Sequence, residues 1–412
     1  MKSRSSVFSA AAVLSLAVLL VLSGCSSEEE EEKGPQSFEE LVAQVVVKPE
    51  ETGVGEPEQE RERLLKVGVL GPKTGEDSAY GLMTFEGARL AAESFNGAGG
   101  VDGAPIEIVE YDNRSEQGAT RTGMDELIKQ GVVAIIGSPT GWSTFAPVYM
   151  ANESSTVFIS AGTRRHIGRS GPFVFRTSLP GQKAADELME YATAEAGLKR
   201  FALVTVMEDE ALSVASFFRM AAAKTGAEIK AEGHIFTADD VAAAVEEIKS
   251  AMPVDAVIFA GSDRSAIDFL EAARAAGLRL PLVGGEELGT ETFLAGGDIV
   301  VGTLLYAGFS PLADEPMVRD FVEGYRKREG RPPATFVAEA YDAFMLIAEA
   351  LKAAGTTRPS AVRKALLDIE GFHGLTGLIS MDEEGEVVKS PYLLEVVDDG
   401  GSPAFSIVRS PF

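Results

Sequence analysis

VVAIIGSPTGWST, residues 132–144, is the stretch whose reading decides the fold. Its first six residues carry no polar alternation, so the strand they form is buried on both faces. The run stops at Gly137-Ser138-Pro139, and small residues, Thr140, Gly141, Ser143 and Thr144, then open a helix around Trp142. A strand with no wet face followed at once by a helix is half of a βαβ crossover. It belongs to a parallel sheet covered by helices on both sides.

The same grammar extends in both directions. KVGVLG at 66–71 is a buried strand, and 80–96 is a helix with Leu82, Phe85, Leu90 and Phe95 as its apolar members. Strands follow at 106–112 and 156–160, with helices at 117–130 and from about 141 to 151. Gly171-Pro172, FVFRT at 173–177 and Leu179-Pro180-Gly181 break the pattern. It then restarts with helices at 182–196, 211–225, 238–251 and 263–276. Strands at 201–206, 228–236, 255–261 and 280–284 separate them. The expected class is α/β, with two doubly wound, Rossmann-like units in series. The last hundred residues differ: helices near 315–329, 335–354 and 358–370 precede β segments near 377–381, 391–398 and 405–409. Such terminal segments return to complete the earlier units.

The chain has 412 residues, which suits two lobes of roughly 150 residues each. Hydrophobic residues make up 45% and charged residues 24%, the balance of a globular protein. The net charge is −26, and a surface this acidic repels phosphate backbones, which argues against nucleic-acid binding. A single cysteine excludes an intrachain disulfide and a thiolate metal cluster. Three separated histidines, His166, His234 and His373, argue against a histidine metal site.

Lys2 and Arg4 precede an apolar run from 7 to 22, too short to span a bilayer and suited to a signal peptide. The run ends in Leu22-Ser23-Gly24-Cys25, which resembles a bacterial lipobox and holds the chain's one cysteine. Acyl chains on Cys25 would fix the protein at a membrane surface. Ser26 then resembles an outer-membrane sorting signal, if the organism is Gram-negative. Residues 26–64 carry 13 acids and four bases, a self-repelling tether of net −9, and residues 65–412 carry −19.

Chemistry-bearing motifs are few. Residues 71–75 lack the spacing of a phosphate-binding loop, no G-x-G-x-x-G opens a helix, and no nucleophile elbow is present. Neither an enzyme nor a cofactor is expected. What remains is the set of loops at the carboxyl ends of the strands, where open α/β sheets bind ligands. The first unit offers Tyr80, then Thr140, Gly141 and Trp142 at a helix start, then Ala161, Gly162 and Thr163. Free N–H groups there suit a carboxylate. The second unit offers Asp209/Glu210, Ser262/Asp263 and Glu286/Glu287, which suit a cation. A zwitterion would bridge the two. Each member has a plainer reading: N-caps at 140–144, a first-turn acid at Glu210, core packing for Trp142 and Phe336, a solvated pair at Arg164/Arg165.

KVGVLGPKTGEDSAYG (66–81), FNGAGGVDGAPIEIVEYD (95–112), VVAIIGSPTGWST (132–144), FRTSLPG (175–181), AARAAGLRLPLVGGEE (272–287) and AEAYDAFMLIAEAL (338–351) occur in this order. Over about 66–398 the chain resembles the leucine/isoleucine/valine-type, or type I, periplasmic substrate-binding proteins of ABC transporters. The resemblance implies a type I periplasmic-binding-protein fold, with two lobes joined by three hinge crossings near 177–181, 307–311 and 376–380. It divides the chain into a signal peptide (1–24), a lipidated cysteine and tether (25–64), lobe 1 (65–179 plus 310–378) and lobe 2 (180–309 plus 379–412).

By position, the resemblance makes Tyr80 a pocket tyrosine and Ala161 to Thr163 a shortened carboxylate loop. Glu286 becomes the acid that binds the ligand ammonium. Gly141 stands where a carboxylate-binding serine is common, and Glu210 and Ser262 stand where aromatic residues are common. The implied function is a lipid-anchored solute receptor for an ABC importer, binding an amino acid or amide and docking on permease subunits. The chain is expected to be a monomer. The alternative is a non-transport lipoprotein of the same fold that regulates a cell-envelope partner, such as a penicillin-binding protein activator.

Overall fold

The computed structural model describes residues 65–137, 141–162 and 167–412, apart from the side chains of 141–146. The expected leader, Cys25 and tether therefore lie outside the described residues.

The first lobe alternates strands and helices in the expected order. They are β1 (Leu65–Gly71), α1 (Ser78–Gly97), β2 (Ile106–Asp112), α2 (Gln117–Lys129), β3 (Ala134–Gly137), α3 (Gly141–Ser154), β4 (Val157–Ser160) and β5 (Val174–Arg176). The strands pair in parallel in the order β2-β1-β3-β4-β5. Every residue of β3 and β4 is buried, as an unbroken apolar run requires. Val67, Val69 and Ile136 pack on one face of this sheet with Phe85 and Phe344. Leu70, Ile135 and Phe158 pack on the other with Met124 and Leu127.

The second lobe repeats the pattern. It contains α4 (Gly181–Ala194), β6 (Arg200–Val206), α5 (Asp209–Thr225), β7 (Glu228–Ile235), α6 (Val241–Ser250), β8 (Ala256–Ala260), α7 (Asp263–Ala275), β9 (Leu282–Gly284), α8 (Glu291–Leu294) and β10 (Leu304–Ala307). The helix expected over 238–251 is a short 3-10 turn at Ala238–Asp240 followed by α6. The carboxylate of Asp240 accepts from the Phe236 and Thr237 N–H groups and tightens that first turn. The strand β10 has no counterpart among the expected elements, because its four residues sit between glycine-bearing turns and show no period of their own.

The remaining elements are α9 (Pro316–Glu329), α10 (Thr335–Ala354), α11 (Pro359–Leu367), β11 (Phe372–Gly374), β12 (Gly377–Met381), β13 (Val387–Val388), β14 (Tyr392–Asp399) and β15 (Ser402–Arg409). The second sheet has the order β15-β14-β10-β9-β8-β6-β7, with β14 and β15 antiparallel to their neighbours. Helix α10 returns to the first lobe and packs along α1, where Gly87 lets the backbones approach: a Cβ there would lie 2.1 Å from the Val337 carbonyl.

Between the two main sheets the chain runs after β5 (177–180), after β10 (from 308, through α9) and after β13 (389–391). Residues 379–388, expected with the second lobe, stay with the first. Ile379, Met381 and Val387 join its core, and the Arg176 N–H donates to the Gly385 carbonyl beside β5. Residues 377–381 form the middle strand of a separate three-stranded antiparallel sheet, β11-β12-β13, and their alternating pattern leaves the choice of partner to tertiary packing. Helix α9 touches both lobes. Val318 and Val322 join the second core, and the Tyr325 hydroxyl donates to Glu86 of α1 at 2.9 Å.

Candidate interlobe binding site

The site is built from the carboxyl ends of the parallel strands. After β1 the chain turns through 72–77 into α1. Asp112, at the end of β2, shapes that turn: it accepts the Lys73 N–H at 2.8 Å, the Thr74 hydroxyl at 2.8 Å and the Arg114 N–H at 2.9 Å. Burial opposes ionisation of Asp112, but these donors outweigh it and hold the carboxyl below the usual range. The Ser115 hydroxyl accepts the Asp77 N–H at 3.0 Å. Gly81 completes the arrangement, since a Cβ there would lie 1.8 Å from the Pro72 carbonyl oxygen. The loop therefore delivers Tyr80 in the first turn of α1 with little freedom.

Tyr80 is 47% exposed and meets Phe336, near the start of α10, edge to face at 5.2 Å between ring centroids. Its hydroxyl pKa is raised, first by partial burial, then by the charges of Glu210, Asp77, Asp263 and Glu287. Three of those four acids belong to the second lobe. They lie in the first turn of α5, at the first residue of α7, and in the turn after β9. Acids of the second lobe thus act electrostatically on the aromatic pair of the first.

The expected residues divide as follows. After burial, the charge of Glu210 is the largest cause of the raised Tyr80 hydroxyl pKa. Ser262 lies at the same rim, but its hydroxyl is engaged as the N-cap of α7, accepting the Ser265 N–H at 3.3 Å. Its neighbour Asp263 is the residue whose charge reaches Tyr80, and its carboxylate is steadied by the Thr290 hydroxyl at 2.6 Å. Glu286 is half-buried in a short turn, and Glu287 is among the charges acting on Tyr80. Gly285 makes room for that turn: a Cβ would lie 2.3 Å from the Glu287 carboxylate and 3.1 Å from the Tyr306 hydroxyl.

On the first lobe, Ala161 and Gly162 are buried at the end of β4, with the Ala161 N–H donating to the Gly137 carbonyl at 3.3 Å. Gly141 is the first residue of α3, the helix that follows β3 in the chain. Thr140, Thr163, Arg164 and the side chain of Trp142 lie outside the described residues. Sequence reading named Asp263 and Glu287 only as members of pairs and did not name Asp112. For Asp112 the available signal was its place at the last residue of a predicted strand, beside the first loop.

The arrangement offers aromatic surface and helix N-termini on one side and carboxylates on the other. That chemistry suits reversible capture of a molecule with unlike ends. Among the described residues no group of three or more His, Cys, Asp or Glu is placed to hold a metal ion.

A protein family described as periplasmic binding protein matches this chain over residues 65–402. The leucine-, isoleucine-, valine-, threonine-, and alanine-binding protein of Pseudomonas aeruginosa is 26% identical over 333 residues, covering 78% of this chain and 87% of that protein. The structure of a putative branched-chain amino acid ABC transporter from Rhodospirillum rubrum is 28% identical. It superposes with a TM-score of 0.74 over 84% of this chain and 100% of that one. The branched-chain amino acid transporter substrate binding protein of Streptococcus pneumoniae, solved in complex with isoleucine, is 27% identical. Its TM-score is 0.68 over 84% and 99% of the two chains.

Proposed function

The chain belongs to the periplasmic binding protein family, and on that premise we propose that it is the lipid-anchored solute receptor of an ABC importer, held outside the cytoplasm through Cys25. Its ligand is a small molecule with a carboxylate or amide end and a cationic end, an amino acid or an amide. Tyr80, Thr140, Gly141, Trp142, Ala161, Gly162 and Thr163 receive the first end. Glu210, Ser262 and Glu286, with Asp263 and Glu287, receive the second.

What supports this reading most is that the loops after β6, β8 and β9 carry Glu210, Asp263 and Glu287, acids of the second lobe whose charges act on Tyr80 of the first. A ligand that touches both walls stabilises the closed arrangement over the open one, because only the closed arrangement lets it satisfy both ends. Glu210 and Ser262, both polar, make this cleft wetter than one built for an aliphatic side chain alone. The relatives whose names include leucine and isoleucine support an amino-acid scaffold. Threonine and alanine, also in the name of the Pseudomonas relative, are the more polar and smaller members of that set.

Thermal unfolding of the purified protein against a panel of L-amino acids, their amides and small organic acids tests the reading. A true ligand at a hundredfold excess over its dissociation constant adds about 2.7 kcal/mol of stability. Glu286→Gln should weaken an ammonium-bearing ligand by on the order of tenfold or more, since a lost charged partner costs about 1.5–3 kcal/mol. A panel in which no solute stabilises the protein overturns the reading and favours regulation of an envelope partner by contact.

A further inference from the structure

The five consecutive residues Glu386 to Ser390 lead into the third passage and contact three elements: the β4–β5 connection and α10 of the first lobe, and α4 of the second. Glu386 points into the first lobe, where its carboxylate accepts the N–H groups of Ile167 and Gly168, each at 2.6 Å, and pairs with the Arg176 guanidinium. Both ends of that ion pair are almost fully buried, at 3% and 4% exposure. Ile167 and Gly168 stand on the same β4–β5 connection as Ala161 and Gly162. Gly168 lies so close to this strand that a Cβ would come within 2.2 Å of the Glu384 carbonyl.

Two residues of β13 pair with β12 and lead directly to Lys389. Its ammonium, buried at the hinge, donates to the Thr376 hydroxyl at 2.9 Å. That hydroxyl donates in turn to the buried Asp342 of α10 at 2.7 Å, and Asp342 also accepts the Leu375 N–H at 2.7 Å and the Thr376 N–H at 2.9 Å. One turn earlier on α10, Glu339 accepts the Leu179 N–H of the first passage at 3.3 Å. Ser390 then donates to Glu187 on α4 of the second lobe at 2.9 Å.

Extended chain spans only about 3.3 Å per residue and does not stretch. With Glu386 fixed to the β4–β5 connection, Lys389 to α10 and Ser390 to α4, the segment has no slack to absorb a shift at one end. We infer that Glu386 is a positioning residue that couples the connection after β4 to the hinge, so that movement of one loads the other. This rests on the proposed function only for the statement that the coupled loop meets ligand. The coupling itself is a property of the protein without ligand.

The test is amide hydrogen exchange on the ligand-free protein, wild type against Glu386→Gln. Gln keeps the length of the side chain and loses its charge. The amides of Ile167 and Gly168 should exchange roughly tenfold faster, and the amides of Leu375 and Thr376, which the substitution does not touch, should accelerate with them. Core amides of β1 and β3 should stay within about twofold of wild type. Thr376→Val cuts the link from the other end and should accelerate Ile167 and Gly168 in return. It also decides the matter if Glu386→Gln fails to fold. Acceleration confined to the substituted end overturns the coupling. So does a uniform rise that includes the β1 and β3 amides, which marks a merely structural role. Neither outcome bears on whether an amino acid binds, which the thermal screen reads separately.

Discussion

Tyr80 shows how one side chain is aimed. Its ring is half exposed and adds little to the core, so its position is explained by what holds the loop before it: Asp112, Ser115 and the close approach at Gly81. An edge-to-face aromatic pair is worth about 0.5–1.5 kcal/mol beyond its buried area. Tyr80→Ala should therefore lower thermal stability only slightly while weakening ligand binding by on the order of tenfold, read by calorimetric titration with the solute found in the screen. A second contrast at this scale separates two arginine–glutamate pairs. Arg169 and Glu384 are 2.9 Å apart but largely solvated, at 74% and 40% exposure, so Arg169→Met should cost no more than about 1 kcal/mol. Arg176→Met removes the guanidinium that pairs with the buried Glu386 carboxylate and should cost about 3–5 kcal/mol. Urea unfolding of the two variants checks the difference.

At the scale of elements, α10 has the widest role. It is apolar nearly all round, as its burial demands, yet it carries Glu339 and Asp342 one turn apart in full burial. Both acids face the passages between the lobes, and both are satisfied by backbone N–H groups there. A helix that holds one lobe's core and also grips the hinge fixes the starting point of any closing motion. Its contact with α1 depends on Gly87, where a methyl group would meet backbone and not a flexible side chain. Gly87→Ala should destabilise the protein by about 1–3 kcal/mol, because overpacking against the Val337 backbone outweighs the roughly 1 kcal/mol by which helix propensity favours alanine. An increased midpoint in urea would show that the helices can separate without loss.

At the scale of the whole molecule, the net charge of −26 and the placement of carboxylates set the response to acid. The Arg200 guanidinium, with the Lys199 and Arg200 N–H groups, holds Asp255 well below the usual carboxylate range against a modest burial penalty. Glu110 is lowered as well, with burial opposing and Arg89 and Lys73 prevailing. A depressed folded-state pKa means that the unfolded chain takes up its proton first as the pH falls. The stabilising contribution of such groups is complete above the unfolded value of about 4 and is lost on acidification through the folded value. Stability should therefore fall below about pH 4, and Asp255→Asn should flatten that dependence. Urea midpoints measured from neutral pH downward check it, and an unchanged slope in the variant removes Asp255 from the account.

The alternation of unbroken apolar strands with helices was legible because it is a local property: burial on both faces removes polar residues from a strand whatever its neighbours are. That pattern determined the class, the two repeated units and the rims on which Tyr80, Glu210 and Ser262 sit. Nothing local distinguishes Ser262 as a helix cap from Ser262 as a ligand contact, or Glu286 from Glu287, because adjacent side chains diverge by an angle that only the folded backbone specifies. The sheet joined by 377–381, the place of the third passage and the burial of Glu386, Lys389 and Asp342 were invisible for a related reason. Charged residues read as surface until the tertiary structure brings their partners to them from more than thirty positions away, as it does for Asp342 with Leu375 and Thr376 and for Glu386 with Ile167 and Gly168. Burial of a charge is a collective outcome of packing, and its permission comes from groups that the neighbouring residues in the chain do not contain.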